Sequence, residues 1–174
     1  MKLPRSKSHR IQSSRTIAAL LVTLWTAVAA GQQSELAPIR QATARFHQLE
    51  LAPLEGYSLM PGLDHCIQNP GVGAMGYHYF NSALIADVSF VDPLRPEALV
   101  YAPGPNGKLQ LAAVEYIVPA QAWHDAGNVE PPSLLGMPMH ILNPVLGWYV
   151  LHAWVWRTNP AGMFQDWNPN VVCP

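Results

Sequence analysis

The C-terminal stretch from Gly147 to Pro174 reads GWYVLHAWVWRTNPAGMFQDWNPNVVCP. It contains four of the six tryptophans of the chain, together with one histidine and one cysteine. Side chains alternate between the two faces of a strand, and this alternation gives one face made of Trp148, Val150, His152, Trp154 and Trp156. The intervening residues are mostly apolar too, so the pattern predicts a strand from Trp148 to Trp156 that is covered on both sides. A buried imidazole at His152 needs a partner, because an unpaired buried polar group costs about 1 to 3 kcal/mol.

Three further strands are predicted upstream, where short segments rich in Val, Tyr and Leu are bounded by glycine and proline. They span Ala74–Phe80, Ala98–Tyr101 and Leu109–Val118. The turn residues 103–107, PGPNG, are predicted to join the second and third of these as an antiparallel hairpin. The proline-rich segment from Pro119 to Pro144 is predicted to be a long ordered loop, since its apolar residues argue against disorder.

One amphipathic helix is predicted from Ser34 to about Leu51, ended by Pro53. Ile39, Ala42, Phe46 and Leu49 recur at helical spacing, and His47 lies beside this stripe, where we expect it to face solvent. The fold class that follows is α+β: an N-terminal helix packed on a curved antiparallel sheet or small β-barrel, with one disulfide.

Residues 1–30 have the three parts of a secretory signal peptide. Five basic residues precede an apolar core from Ile17 to Val28, and Ala27-Val28-Ala29 forms a cleavage site. The apolar run of about twelve residues is short for a membrane span, which needs about 20. We therefore predict a signal peptide at 1–30 and a single exported α+β domain at 31–174, periplasmic or secreted.

Removal of the signal changes the charge of the chain. Five of the ten basic residues lie in it and none of the eleven acidic ones does, which leaves a net charge of −6. This charge argues against nucleic acid or an anionic membrane surface as a partner. Cys66 and Cys173 are the only cysteines, and in an exported chain an even count predicts that they form a disulfide.

The same alternation places one ionisable group on an apolar face of each of three strands. His78 shares its face with Ala74, Gly76 and Phe80, and Glu115 shares its face with Leu111, Ala113 and Ile117. Together with His152, these make two imidazoles and one carboxylate that are predicted to point inward. Such a set is suited to bind zinc, copper or non-haem iron, or to form a metal-free network with Glu115 and a histidine as an acid–base pair.

The function predicted from this set is binding of a divalent transition metal by His78, Glu115 and His152, as a binding protein or as a metal-dependent enzyme on a small molecule. One alternative is a metal-free module whose aromatic residues Tyr79, Trp154 and Trp156 receive an apolar or sugar-like ligand. The other is a structural envelope protein in which the three groups are separately satisfied core residues. The residues leave the substrate, the metal, the reaction and the oligomeric state open.

Six short motifs resemble the pattern of a family of small exported bacterial proteins whose activity is uncharacterised. They read MGYHY at 75–79, PEALVY at 96–101, VEY at 114–116, LHAWVW at 151–156, NPAGMF at 159–164 and WNP at 167–169. The resemblance covers nearly the whole predicted exported domain, and it implies no particular reaction. One departure is Ala113, where the family pattern has glycine before VEY.

Overall fold

A curled antiparallel sheet is the centre of the structure, a computed structural model that describes residues 36–89 and 91–174. The predicted signal peptide and the predicted helix start at Ser34 lie outside the described residues. Residues 36–174 form one compact unit. The α+β class and the curved antiparallel sheet are as predicted.

The main sheet has six strands in the order β1-β2-β3-β4-β8-β7, and all neighbours are antiparallel. The strands are β1 Ile67–Asn69, β2 Gly73–Phe80, β3 Ala98–Pro103, β4 Leu109–Pro119, β7 His140–Ile141 and β8 Trp148–Ala153. All four predicted strands are present, and the turn at 104–107 closes the predicted hairpin between β3 and β4.

The last strand ends three residues earlier than predicted, at Ala153. Beyond this point the backbone N–H groups of Trp156 and Arg157 both donate to the carbonyl of Ala112 in β4, and that of Trp154 donates to Met163. The chain therefore leaves the β4–β8 ladder, and the alternation of side chains stops before Trp156.

A bulge in β4 changes which residues share a face with Glu115. Val100 pairs with Ala113 but Tyr101 pairs with Leu111, so Ala112 is an extra residue on β4. A single extra residue shifts the alternation by one position. The prediction that Leu111 shares a face with Glu115 is wrong for this reason: Leu111 packs in the core on the opposite side of the sheet.

The predicted single helix is broken into three short pieces. Residues 36–43 are helical (α1), Ala44–His47 form a 3₁₀ turn, and α2 spans Leu51–Leu54. The break follows from the extended backbone at Gln48. Pro53 lies inside α2 instead of ending the helix. Proline has no backbone N–H, but the N–H groups in the first turn of a helix make no hydrogen bond within the helix, so proline is tolerated there.

The helical residues cover one face of the sheet. Leu36, Ile39 and Phe46 are buried in a core with side chains of β3, β4 and β8, and His47 is exposed, as predicted. Two hydrogen bonds attach α1 to the residues just after β8: Trp156 Nε1 donates to Thr43 Oγ1 at 3.0 Å, and Arg40 Nε donates to the carbonyl of Val155 at 2.7 Å. The opposite face of the sheet carries the candidate site. The residues after Ala153 contribute to both faces, since Val155 and Trp156 pack with the helix-side core and Trp154 packs on the other side.

The segment from Pro119 to Pro144 is not a plain loop, which corrects the sequence-based prediction. It contains helix α4 at Ala120–Asp125, the hairpin strands β5 at Ser133–Leu134 and β6 at Met137–Pro138, and β7. Such two-residue strands carry too little periodicity to be read from sequence. A further short helix, α3 at Ser82–Ala86, is capped by Asn81, whose side chain accepts hydrogen bonds from the N–H groups of Ala83 and Leu84.

Cys66 and Cys173 form the predicted disulfide, with the Cα atoms 5.6 Å apart. The bond joins the turn before β1 to the end of the chain, across a separation of 107 residues. Among residues 36–89 and 91–174, no helix is long and apolar enough to cross a membrane.

We expect Phe46→Ala to lower the free energy of unfolding by about 3 to 5 kcal/mol, because it leaves a cavity in the core. His47→Ala is the neighbouring control. Its ring makes only an edge contact with Trp156, at 4.3 Å between centroids, so the loss should stay below about 1.5 kcal/mol. Urea denaturation measures both, and equal losses would show that the helix face is misassigned.

Candidate functional site

Three strands bring His78, Glu115 and His152 together on the face of the sheet opposite α1 and α2. Glu115 in β4 lies directly opposite His152 in β8, and His78 projects from β2, two strands away from β4. The exposed fraction is 1% for His78, 5% for Glu115 and 0% for His152. All three side chains are therefore inward, as the alternation predicts.

The distances between these groups are short but are not those of a closed hydrogen-bond network. His78 Nε2 lies 3.6 Å from Glu115 Oε2, longer than a normal hydrogen bond. The rings of His78 and His152 have centroids 5.9 Å apart, inclined by 66°. Trp154 covers the other side of His152, with centroids 4.7 Å apart.

Three imidazole nitrogens in this group are buried and have no hydrogen-bond partner among the described residues. They are Nδ1 of His78 and both ring nitrogens of His152. The backbone of Gly76 acts on the His78 ring and partly opposes the effect of burial on its pKa, but the contact does not reach hydrogen-bond geometry. Buried polar groups are nearly always paired, and an unpaired one costs about 1 to 3 kcal/mol. The described residues therefore supply no hydrogen-bond partner that would offset the burial of these nitrogens.

Gly76 allows His78 its place in the sheet. Its φ is +117°, and a Cβ atom there would lie 2.4 Å from the carbonyl oxygen of Tyr101 in β3. Any side chain would therefore separate β2 from β3 at the residue pair next to His78. The glycine of the MGYHY motif is required by this close approach.

His78 and Glu115 reach the wall of a cavity of about 540 Å³. The rest of its lining is largely apolar and includes Leu63, Phe80, Leu146, Trp148, Val150 and Trp167. His65 is also on the wall. The cavity has the size and the apolar lining with few polar groups that are typical of small-molecule sites.

The aromatic residues predicted to form a ligand pocket lie elsewhere. Tyr79 packs edge-on against Tyr101 in the core under the helices. Trp154 is buried against His152, and Trp156 contacts His47 and Thr43. None of the three lines the 540 Å³ cavity, where Trp148 and Trp167 supply the aromatic surface.

Sequence reasoning missed two carboxyl groups, the buried Glu97 and the partly buried Asp166. Asp166 Oδ2 lies 3.0 Å from His140 Nε2, and its Oδ1 is buried without a hydrogen-bond partner among the described residues. Glu97 Oε2 accepts a hydrogen bond from the N–H of Ile117 at 3.0 Å. Neither carboxylate lies on a predicted strand face, so alternation gave no signal for them.

Burial sets the charge state of the site. It raises the pKa of Glu115 to about 8, with a further contribution from the charge of Asp166, and raises the pKa of Glu97 to about 7. Burial lowers the pKa of His78 to about 4 and that of His152 well below the usual value. At neutral pH both imidazoles are neutral and Glu115 holds a proton unless a positive charge replaces it.

The chemistry that these groups offer is of two kinds. Two neutral imidazoles and a carboxylate are ligands for zinc, iron or copper, and a carboxyl beside an imidazole is an acid–base pair. Among the described residues, no group of three or more His, Cys, Asp or Glu side chains is already arranged around a common point for an ion. Ion binding would therefore need side chains to rotate. Rotation of His152 would break no hydrogen bond, because neither of its ring nitrogens makes one with the described residues.

Comparison with family models, with curated proteins and with solved structures found no match.

The stability of the metal-free protein should fall as the pH rises from 7 to 8. In this range the folded protein keeps a proton on Glu115, because burial raises its pKa from an ordinary 4.5 to about 8, so unfolding releases a proton. The two histidines oppose this effect near pH 7, where each unfolded imidazole, with an ordinary pKa of 6.5, is still about a quarter protonated, and they are neutral in both states by pH 8. The free energy of unfolding should fall by less than about 1.4 kcal/mol per pH unit through this one group.

Urea denaturation in the presence of a chelator measures this slope, and Glu115→Gln should remove most of it. A slope that is the same in Glu115→Gln as in the unchanged protein would assign the proton to another group, such as Glu97.

Proposed function

We propose that the protein is exported and binds a divalent transition metal through His78, Glu115 and His152. The observation that carries the proposal is the set of buried imidazole nitrogens without partners next to a buried carboxyl group. Zinc, iron and copper are the ions that this ligand set suits. The disulfide and the N-terminal sequence support export, because disulfides persist in oxidising compartments.

Two of the separations between these groups are compatible with ligands that share an ion, although the side chains must rotate to converge on one point. Two ligand atoms on one tetrahedral zinc ion lie roughly 3.3 to 3.6 Å apart, given bonds of about 2.0 to 2.2 Å. His78 Nε2 and Glu115 Oε2 are 3.6 Å apart. Two imidazoles on one such ion have ring centroids roughly 5 to 6 Å apart on the same bond lengths, and His78 and His152 are 5.9 Å apart.

The charge of the site also favours a cation. An ionised Glu115 has no lysine or arginine paired with it among the described residues, and its position in the interior raises its pKa. A divalent ion would replace the proton and supply the missing positive charge. The cavity beside His78 and Glu115 would then give a small molecule access to the ion, which is the arrangement that catalytic sites keep.

Elemental analysis of protein purified after export and without chelator should find about one equivalent of zinc, iron or copper. His78→Ala, Glu115→Ala and His152→Ala should each lose it, because removal of one ligand leaves an incomplete coordination shell. Adding the ion should raise the melting temperature, since a ligand at a hundred times its Kd stabilises the folded state by about 2.7 kcal/mol.

The controls are His47→Ala and His124→Ala, which replace exposed imidazoles outside the site and should keep the metal. Circular dichroism identifies any variant that fails to fold. Metal that persists in all three site variants, or protein that takes up none of the three ions, would refute the proposal.

A metal-free module for small apolar molecules is the second candidate, because the cavity is largely apolar and about 540 Å³ in volume. In the presence of a chelator, a fluorescent apolar probe such as an anilinonaphthalene should bind the folded protein and quench Trp148 and Trp167 at the wall. Val150→Phe should weaken binding at least several-fold by filling the cavity, whereas Val145→Phe, at a position that is 92% exposed, should not. Equal binding by both variants would place the probe elsewhere.

A further inference from the structure

The wall of the 540 Å³ cavity divides into a buried inner end and an exposed mouth. At the inner end, His78, Glu115 and Val150 are at most 6% exposed. The loop 143–146 after β7 is exposed and supplies three of the other lining residues. A molecule that fills the cavity therefore has one end beside His78 and Glu115 and the other end at this loop.

Glu115 is the polar group at the inner end that lacks a partner. Nε2 of His78 lies 3.6 Å from Oε2 of Glu115, beyond hydrogen-bond length, and no other described residue donates to this carboxyl group. Buried polar groups are nearly always hydrogen-bonded. Because Glu115 reaches the cavity wall, a molecule in the cavity can supply the missing hydrogen bond.

Most of the remaining wall is apolar and partly aromatic. Phe80 and Trp148 lie with their ring centroids 5.9 Å apart, inclined by 60°, and Trp167 adds a third ring to the lining. A polar group placed against these side chains would lose its contact with water and gain no hydrogen bond in return. The body of a bound molecule should therefore be apolar, with its polar group confined to the inner end.

The charge of the wall excludes an anionic molecule. Among the described residues that line the cavity there is no lysine or arginine, and Glu115 is itself acidic. A carboxylate or phosphate at the inner end would be buried beside Glu115 without a positive partner, which is strongly unfavourable.

A single hydroxyl group fits the space between the two polar side chains. A hydroxyl both donates and accepts hydrogen bonds, as the pair formed by a carboxyl group and an imidazole requires. Because Glu115 Oε2 and His78 Nε2 are 3.6 Å apart, one oxygen can lie within about 2.8 Å of both atoms.

We propose that the cavity binds an uncharged, largely apolar alcohol or phenol whose hydroxyl group is held between Glu115 Oε2 and His78 Nε2. The inference rests on the second candidate function, the binding of small apolar molecules, and requires no ion. It adds the head group that the site selects and the charge that it rejects.

The test is the affinity of the full exported protein, in the presence of a chelator, for four probes that share a naphthalene body. Displacement of the uncharged fluorophore N-phenyl-1-naphthylamine measures each affinity. 2-Naphthol should bind at least about fivefold more tightly than naphthalene, the gain that one net hydrogen bond gives. It should also bind at least about tenfold more tightly than the anion 2-naphthoate, whose charge finds no partner, and more tightly than the cation 2-naphthylmethylamine.

Glu115→Met removes the carboxyl group and keeps an unbranched side chain. The preference for 2-naphthol over naphthalene should disappear in this variant while naphthalene still binds, a change of ratio that a merely structural role would not produce. The matched control is Glu50→Met, at an exposed position outside the cavity, which should keep the preference. Val150→Phe, which fills the inner end, should weaken the binding of all four probes.

The outcomes separate this inference from the function on which it rests. If naphthalene binds in the cavity as tightly as 2-naphthol, or if either charged probe binds more tightly, the inference is wrong and apolar binding stands. If no probe binds, both fail. A folded Glu115→Met protein that keeps the preference overturns the assignment of the hydroxyl to Glu115. If that variant does not fold, the order of the probes in the unchanged protein and its loss in Val150→Phe still decide.

Discussion

The register between β4 and β8, in which Glu115 lies opposite His152, is the constraint on which the rest of the structure depends. Both strands are covered on both faces, so a slip of one residue would move these polar groups into the apolar core under the helices. The register is held at one end by the carbonyl of Ala112, which accepts the N–H groups of Trp156 and Arg157. The bulge that exposes this carbonyl also sets which face Glu115 occupies.

The same register brings together polar groups whose burial lowers the stability of the fold. Two imidazoles and a carboxyl group are removed from water, and three of the ring nitrogens obtain no hydrogen bond in return from the described residues. A purely structural core would be more stable with apolar side chains of similar volume there. His78 and Glu115 instead reach a cavity that Trp167 of the C-terminal segment also lines, as the proposed binding function requires.

Sequence patterns were sufficient to locate the four long strands β2, β3, β4 and β8, because their period-two alternation is local. They predicted the burial of His78, Glu115 and His152, and the export signature and cysteine count predicted the disulfide. They failed where tertiary contacts override local preference: the bulge at Ala112, the break after His47, and the departure of the chain at Trp154. Asp166 was missed because it lies in a turn-rich segment whose place on the sheet edge is set by long-range pairing with β2.

X-ray absorption spectroscopy of the metal in protein purified after export tests the central claim most directly. The account predicts a first shell of nitrogen and oxygen ligands at about 2.0 to 2.2 Å for zinc, with the multiple-scattering pattern of two imidazoles and no sulfur. Both cysteines are in the disulfide, so they have no thiolate to offer. A shell that contains sulfur at about 2.3 Å, or that has no imidazole, would contradict binding by His78, Glu115 and His152.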